Sequence, residues 1–95
     1  MLIYNPHAGK GKVKSALHTI IEGFFQNGDL VTCFPTTYKE HATELLQTYG
    51  SEFDLVICSG GDGTLNEVIN GLSKLKEPLP LAYIPSGTVN DFANT

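Results

Sequence analysis

The segment SGGDGTLNEVING, residues 59–71, places several glycines around one acid, directly after the apolar run LVIC. Gly60, Gly61 and Gly63 would expose backbone N–H groups where the next helix begins. Unpaired amides and the positive end of a helix dipole both favour anions, so the segment predicts a phosphate-binding loop. We expect Gly61 to lie against phosphate in a backbone conformation that a side chain would obstruct. The alternative is a tight strand-to-helix turn that binds nothing.

Asp62 stands in the middle of this loop. A carboxylate repels phosphate unless a cation lies between them, and Mg²⁺ typically takes one or two carboxylates together with phosphate oxygens and water. Asp62 is therefore a candidate ligand of Mg²⁺, directly or through water. Thr64 is expected to cap the helix that follows, with Glu67 as its partner in a capping box.

A second candidate cradle is NPHAGKGK, near the start of the chain. Gly9 and Gly11 free the backbone there, while Lys10 and Lys12 offer positive charge to a phosphate. The segment has neither the spacing of a Walker A loop nor the third glycine of a Rossmann fingerprint. The alternative is a solvated basic turn that leads into a helix.

The segment PSGTVND supplies a third group of polar candidates. Ser86, Gly87 and Thr88 are candidate nucleotide-binding residues, and the Thr88 hydroxyl can donate to a phosphate. Asn90 and Asp91 either cap a final helix or take part in function, with Asp91 as a second candidate metal ligand.

Hydrophobic periodicity divides the chain into alternating strands and helices. Apolar runs predict strands over Leu2–Tyr4, Leu30–Phe34, Asp54–Cys58 and Leu81–Ile84, with helices between them and a last helix near Val89. The order β-α-β-α-β-α-β predicts a layered α/β fold with a parallel, Rossmann-like sheet.

The chemistry-bearing segments share one position in this scheme. NPHAGKGK, PTTY, SGGDGT and PSGTVND each follow the carboxyl end of a predicted strand. Those ends meet at one rim of an open parallel sheet, where ligands bind. The return segments from helices to strands are ordinary connections. The sequence therefore predicts one ligand site built from distant loops.

Composition narrows the functional classes. The 95 residues suit one small domain, and the net charge of -4 with lysine as the only strongly basic residue type argues against nucleic-acid binding. No apolar run is long enough to span a membrane, and the start does not resemble a secretory signal. Cys33 and Cys58 are expected to be buried reduced thiols of a cytoplasmic protein. The three histidines have no metal-ligand spacing.

The ordered set NPHAGKGK, Thr36 before His41-Ala42, SGGDGTLNEVING and PSGTVNDFA resembles the nucleotide-binding domain of the diacylglycerol kinase catalytic family, in its bacterial lipid kinase form. The GGDGT loop alone also resembles NAD kinases and phosphofructokinases. The resemblance implies a phosphofructokinase-like domain that uses ATP and Mg²⁺ to phosphorylate a lipid hydroxyl.

The same resemblance suggests individual roles. Asn5 and Thr36 would contact the nucleotide, residues 60–64 would hold its phosphates, and Thr88 would touch one of them. Asp62 would be the catalytic residue present, organising the metal or the reacting hydroxyl. Two other readings stay open: an NAD-kinase-like phosphotransferase and a non-catalytic module whose glycine loops are only turns.

Members of this family are longer than residues 1–95 and carry a second, β-rich domain that holds the lipid. The resemblance places the general base in that domain. We therefore expect these residues to be the nucleotide-binding part of a cytoplasmic enzyme that works at the membrane surface. By themselves they should not phosphorylate lipid, and they should tend to form homo-oligomers through exposed apolar surface.

Overall fold

The computed structural model describes residues 1–8 and 12–85. The four strands are β1 (Leu2–Tyr4), β2 (Cys33–Pro35), β3 (Val56–Gly60) and β4 (Leu81–Pro85). The helices are α1 (Lys12–Gln26), α2 (His41–Tyr49) and α3 (Asp62–Ser73), and a short 3₁₀ helix, Gly50–Glu52, prolongs α2. The predicted alternation of strands and helices is confirmed over this part of the chain. No helix in it has the length and hydropathy needed to cross a bilayer.

The four strands form one parallel sheet in the order β2-β1-β3-β4. The first strand is therefore central, with Leu2 paired to Cys33 on one side and to Ile57 on the other. The chain leaves β1 toward β2 and returns across it to β3. The loops after β1 and β3 consequently diverge, which opens the crevice where doubly wound sheets bind ligands.

Apolar clusters cover both faces of the sheet. On one face, Ile20 of α1 packs in a cluster with Leu2 and Ile57. On the other face, α2 and α3 contribute Leu46 and Val68 to a second buried cluster. The result is the three-layered α/β architecture that the sequence predicts, with every residue of β3 buried.

Two strands begin later than hydrophobicity predicts. β2 begins at Cys33 rather than Leu30, whose side chain is 85% exposed, and the ladder to β1 starts where Leu2 N donates to Thr32 O at 2.8 Å. β3 begins at Val56 rather than Asp54. The predicted stop of α1 is confirmed by Gly28, whose φ of 90° is left-handed. The last helix, predicted near Val89, lies outside the described residues.

Both cysteines are free thiols, as the sequence predicts. Cys58 is buried completely in β3, whereas Cys33 is only half-buried. Burial, with a smaller contribution from the charge of Glu67, raises the pKa of Cys58 to about 12. The thiol therefore stays protonated and behaves as a small apolar side chain.

Candidate functional site

Three loops meet at the carboxyl ends of β1, β2 and β3, and we call residues 5–8, 36–40 and 61–64 the carboxyl-end rim. Backbone hydrogen bonds carry the ladder beyond the strands into these loops. Asn5 N donates to Ser59 O at 3.2 Å, and Thr36 N donates to Tyr4 O at 2.9 Å. The first two loops are therefore positioned by the sheet itself.

Asn5 organises the loop that follows β1. Its side-chain Oδ1 accepts a hydrogen bond from His7 N at 2.9 Å, and its carbonyl oxygen accepts one from Ala8 N at 3.1 Å. An asparagine that bonds the backbone two residues ahead closes a turn, which explains this residue type at the end of β1.

The loop after β2 is held by side chains as well as by backbone. Thr36 Oγ1 donates to Tyr4 O at 3.3 Å, and Thr37 N donates to His41 Nδ1 at 2.9 Å. The Tyr38 ring stacks on the imidazole of His41, with 4.2 Å between the ring centroids. His41 thus positions both neighbours in the loop, a role its place in the sequence does not reveal.

The loop after β3 leads directly into α3. Gly61 is the N-cap residue, no side chain caps the helix there, and the first helical bond runs from Leu65 N to Gly61 O at 3.1 Å. The N–H groups of residues 62–64 accordingly have no acceptor within the helix. They carry the positive end of the helix dipole, so this turn offers donors to an anion. Asp62 is exposed as the first helical residue.

The glycines of this loop serve two different purposes. Gly61 has φ -89° and ψ -175°, which is extended backbone open to any residue, so the predicted obstructed conformation is wrong. A Cβ at Gly61 or Gly63 would meet nothing within 4 Å. A Cβ at Gly60 would lie 3.1 Å from Thr64 Oγ1, so packing disfavours a side chain at that position. Only Gly61 and Gly63 border open space.

The predicted capping box is also wrong. Thr64 is the third residue of α3 and is 7% exposed, so it lies inside the helix rather than at its cap. Glu67 turns to the neighbouring helix, where its Oε1 accepts a hydrogen bond from Ala42 N at 3.3 Å. The physical reason lies in α2, whose N-cap residue Glu40 has a φ of 69° and makes no side-chain cap.

Tyr83 links β4 to the end of β3, where the turn into α3 begins. Its hydroxyl donates to Gly60 O at 3.1 Å. Burial first, then the negative charge of Asp62 and a smaller electrostatic interaction with Cys58, raise the pKa of Tyr83. The phenol therefore stays protonated at neutral pH, as a donor to this carbonyl must.

A cavity of about 330 Å³, near the lower end of the usual size range of ligand pockets, lies on the carboxyl-end rim. It brings together three predicted site residues that follow three different strands: Asn5, Thr36 and Thr64. Its other lining residues were not predicted as site residues: His7, Thr37, Tyr38, Lys39 and Glu67. The polar segment PTTY was a signal for two of these, Thr37 and Tyr38.

The remaining predicted residues divide into two groups. Gly61, Asp62 and Gly63 adjoin Thr64 on the rim, and Gly60 lies beneath them at the end of β3. Lys12 begins α1. The others lie outside the described residues: Gly9, Lys10, Gly11, Ser86, Gly87, Thr88 and Asp91. Among residues 1–8 and 12–85, no three His, Cys, Asp or Glu side chains are grouped to hold a metal ion.

The sheet order, the crevice beside β1 and the uncapped helix N-terminus at its edge define a doubly wound α/β domain whose rim offers hydrogen-bond donors. A family model for the diacylglycerol kinase catalytic domain matches residues 1–95. The chain belongs to this family, and the resemblance found in its sequence is confirmed.

Individual proteins that are similar to this chain are also named diacylglycerol kinases. The chain is 43% identical over 93 residues to a diacylglycerol kinase of Bacillus subtilis strain 168, and 41% identical over 92 residues to one of Staphylococcus epidermidis. These matches cover 97% and 96% of this chain but 31% and 29% of the relatives. A crystal structure of a diacylglycerol kinase from Bacillus anthracis strain Sterne superposes with a TM-score of 0.78 and 41% identity, over 96% of this chain and 34% of that one. The chain thus spans about a third of their length.

Proposed function

We propose that these residues are the nucleotide-binding part of an ATP- and Mg²⁺-dependent lipid kinase whose acceptor is a lipid hydroxyl such as that of diacylglycerol. The observation that carries the proposal is the carboxyl-end rim. There an uncapped helix N-terminus adjoins a polar cavity, in a chain that belongs to the diacylglycerol kinase catalytic family.

The rim suggests how a nucleotide would be divided between its two parts. Phosphates suit the turn at residues 61–64, because unpaired N–H groups and the helix dipole both favour negative charge there. The nucleoside suits the neighbouring cavity, where Asn5 and Thr36 offer neutral polar groups. We assign Thr64 to the boundary between these two parts, since it belongs to the turn and lines the cavity.

Asp62 fits a magnesium ion that is shared with the ligand. The described residues hold no cluster of acidic side chains that would cage a metal by itself. A single exposed carboxylate beside a phosphate-binding turn matches the way Mg²⁺ is usually held, by one or two carboxylates, phosphate oxygens and water. When bound, the ion would neutralise charge on the phosphates, while Asp62 would orient it and the reacting hydroxyl.

Lys12, at the start of α1, and several candidates outside the described residues complete this proposal. We assign phosphate contacts to the glycine-lysine loop and to the segment after β4, and a second metal contact to Asp91. The residues concerned are Gly9, Lys10, Gly11, Lys12, Ser86, Gly87 and Thr88. We further propose that the general base and the lipid pocket belong to the rest of the relatives' length, and that the enzyme works from the cytoplasm at a membrane surface.

Calorimetric titration of the chain with Mg-ADP tests the nucleotide assignment, and NAD serves as the competing ligand. We expect ADP to bind in a magnesium-dependent way and NAD to bind no more tightly. A longer protein that carries this sequence should transfer labelled phosphate from ATP to diacylglycerol in micelles. Preference for NAD in both assays would favour an NAD-kinase-like enzyme, and no binding of either ligand would leave the glycine loops as turns.

A further inference from the structure

The N-terminus of α2 is held by a residue of another helix. Ala42 is buried completely, and its N–H group is one of the first of α2, which have no acceptor within that helix. Glu40 provides no side-chain cap, and Glu67 Oε1 of α3 accepts the Ala42 hydrogen bond instead. The half-buried carboxylate thus satisfies a donor that water does not reach.

Further contacts fix the two helices in the same register. Thr43 Oγ1 donates to Glu67 O at 2.7 Å, so Glu67 is engaged through its main chain as well as its side chain. One turn later, a Cβ at Gly71 would lie 3.2 Å from Thr43 Cα, which shows how closely the helices approach. Such a contact leaves little freedom for α2 to slide along α3.

The fixed end of α2 supports one wall of the cavity. His41, the residue before Ala42, accepts the hydrogen bond from Thr37 N, and the loop of residues 36–39 lines the cavity opposite Thr64. Glu67 itself lines this cavity one turn after Thr64. The carboxylate therefore links the helix that follows the phosphate turn to the loop proposed to face the nucleoside.

We propose that Glu67 is a positioning residue for nucleotide binding, which acts through its hydrogen bond to Ala42 N by holding the loop of residues 36–39 against α3. This inference rests on the proposed function. The inference requires that the side chain be long enough to bring an acceptor oxygen to Ala42 N, and it does not require that oxygen to be charged. The raised pKa of Cys58 agrees with the position of the Glu67 carboxylate near the sheet, since the charge of Glu67 is one of its causes.

Two substitutions separate reach from charge. Glu67→Gln removes the charge but keeps an oxygen at the same distance, whereas Glu67→Asp keeps the charge and shortens the side chain by one methylene. We expect the Asp variant to lose about tenfold in Mg-ADP affinity, while the Gln variant stays within about threefold of the wild type. Amide exchange at Ala42, followed by NMR without nucleotide, should accelerate in the Asp variant alone. Glu22→Asp, at an exposed position of α1, is the matched control and should change neither property.

The opposite ranking, with the Gln variant impaired and the Asp variant normal, would overturn the inference by showing that charge is what counts. Equal ADP affinity in both variants and the wild type would overturn it as well. Those results leave the proposed function intact, because the wild type still binds Mg-ADP. A wild-type chain that binds no Mg-ADP would instead overturn the proposed function and this inference together.

Discussion

The two ends of the sheet differ in charge more than in shape. Beyond the amino ends of the strands lie cavities of about 350 and 560 Å³, both larger than the 330 Å³ cavity on the carboxyl-end rim. The first of them is lined by three acids, Asp29, Glu52 and Asp54. Helices α1 and α3 also end on that side, and their carbonyl ends are negative. The Met1 ammonium also lines this cavity and offsets part of the negative charge. The remaining negative charge disfavours a phosphate there, whereas the N-terminus of α3 favours one at the opposite end, so cavity volume is a poor guide to the proposed site.

The most severe test of this contrast is Gly61→Val. The new side chain would enter open space beside the anion-binding turn, so it should abolish Mg-ADP binding with little cost to folding. Calorimetry measures the affinity, and circular dichroism checks the fold. Gly23→Val in α1 is a matched control, because a Cβ there also meets nothing within 4 Å. Unchanged affinity in folded Gly61→Val would remove the turn from the site.

The next largest effect is expected from acids at the two ends. Asp62→Asn should weaken Mg-ADP binding about 100-fold, which corresponds to about 2.7 kcal/mol, because the proposed magnesium contact would be lost. Asp54→Asn, at the amino ends of the strands, should leave the affinity unchanged. Titrations with and without Mg²⁺ decide the mechanism: an equal loss in both would mean that Asp62 only stabilises the turn.

A smaller effect tests the packing beneath the carboxyl-end rim. A Cβ at Gly71 would lie 2.9 Å from Leu46 Cδ1 and 3.2 Å from Thr43 Cα. Gly71→Ala should therefore lower the free energy of unfolding by about 1–3 kcal/mol, as overpacking usually does. Gly23→Ala, which meets no neighbour, should raise it by up to about 1 kcal/mol through helix propensity. Urea denaturation compares them, and a stabilised Gly71→Ala would show that the α2–α3 contact is loose.

The smallest expected effect tests whether water is excluded from Cys58, in the strand β3 beneath the carboxyl-end rim. Because the pKa of Cys58 rises from 9.0 to about 12 on folding, the folded state keeps a proton that the unfolded state loses between these values. The contribution of Cys58 to the free energy of unfolding should therefore be fully present below pH 9. Above pH 9 it should decrease by at most about 1.4 kcal/mol per pH unit. Urea denaturation from pH 8 to 10.5 measures the slope. Cys58→Ala should reduce it more than Cys33→Ala does, whereas equal slopes would indicate that water reaches Cys58.

The fold was largely predictable because its information is local and repetitive. Helical spacing in α1 and the apolar run of β3 identify their elements without reference to the rest of the chain. The common position of the polar loops then followed from the rule that parallel strands share their carboxyl ends. Leu30 was misassigned to β2 because hydrophobicity does not reveal whether a residue has a strand to pair with.

The details of the site depended on contacts that sequence spacing conceals. Thr64 and Glu67 have the spacing of a capping box, yet the helix begins two residues before Thr64, so Glu67 is free to serve α2. Gly61 appeared to need an unusual backbone, whereas its conformation is ordinary and its surroundings are open. For Glu67 the deciding partner lies on another element, at a sequence distance that local rules do not cover, and for Gly61 no neighbour is close enough to constrain the residue.

The central place of β1 affects how the chain is made. Its three residues are synthesised before those of the other described strands, and their partners in β3 follow more than 50 residues later. At about 5–20 residues per second, that interval lasts about 3–12 seconds. During this time one edge of β1 has no strand beside it, and such an edge invites pairing with other chains. We expect a nascent chain to be most vulnerable to aggregation, and most dependent on chaperones, before Gly60 emerges.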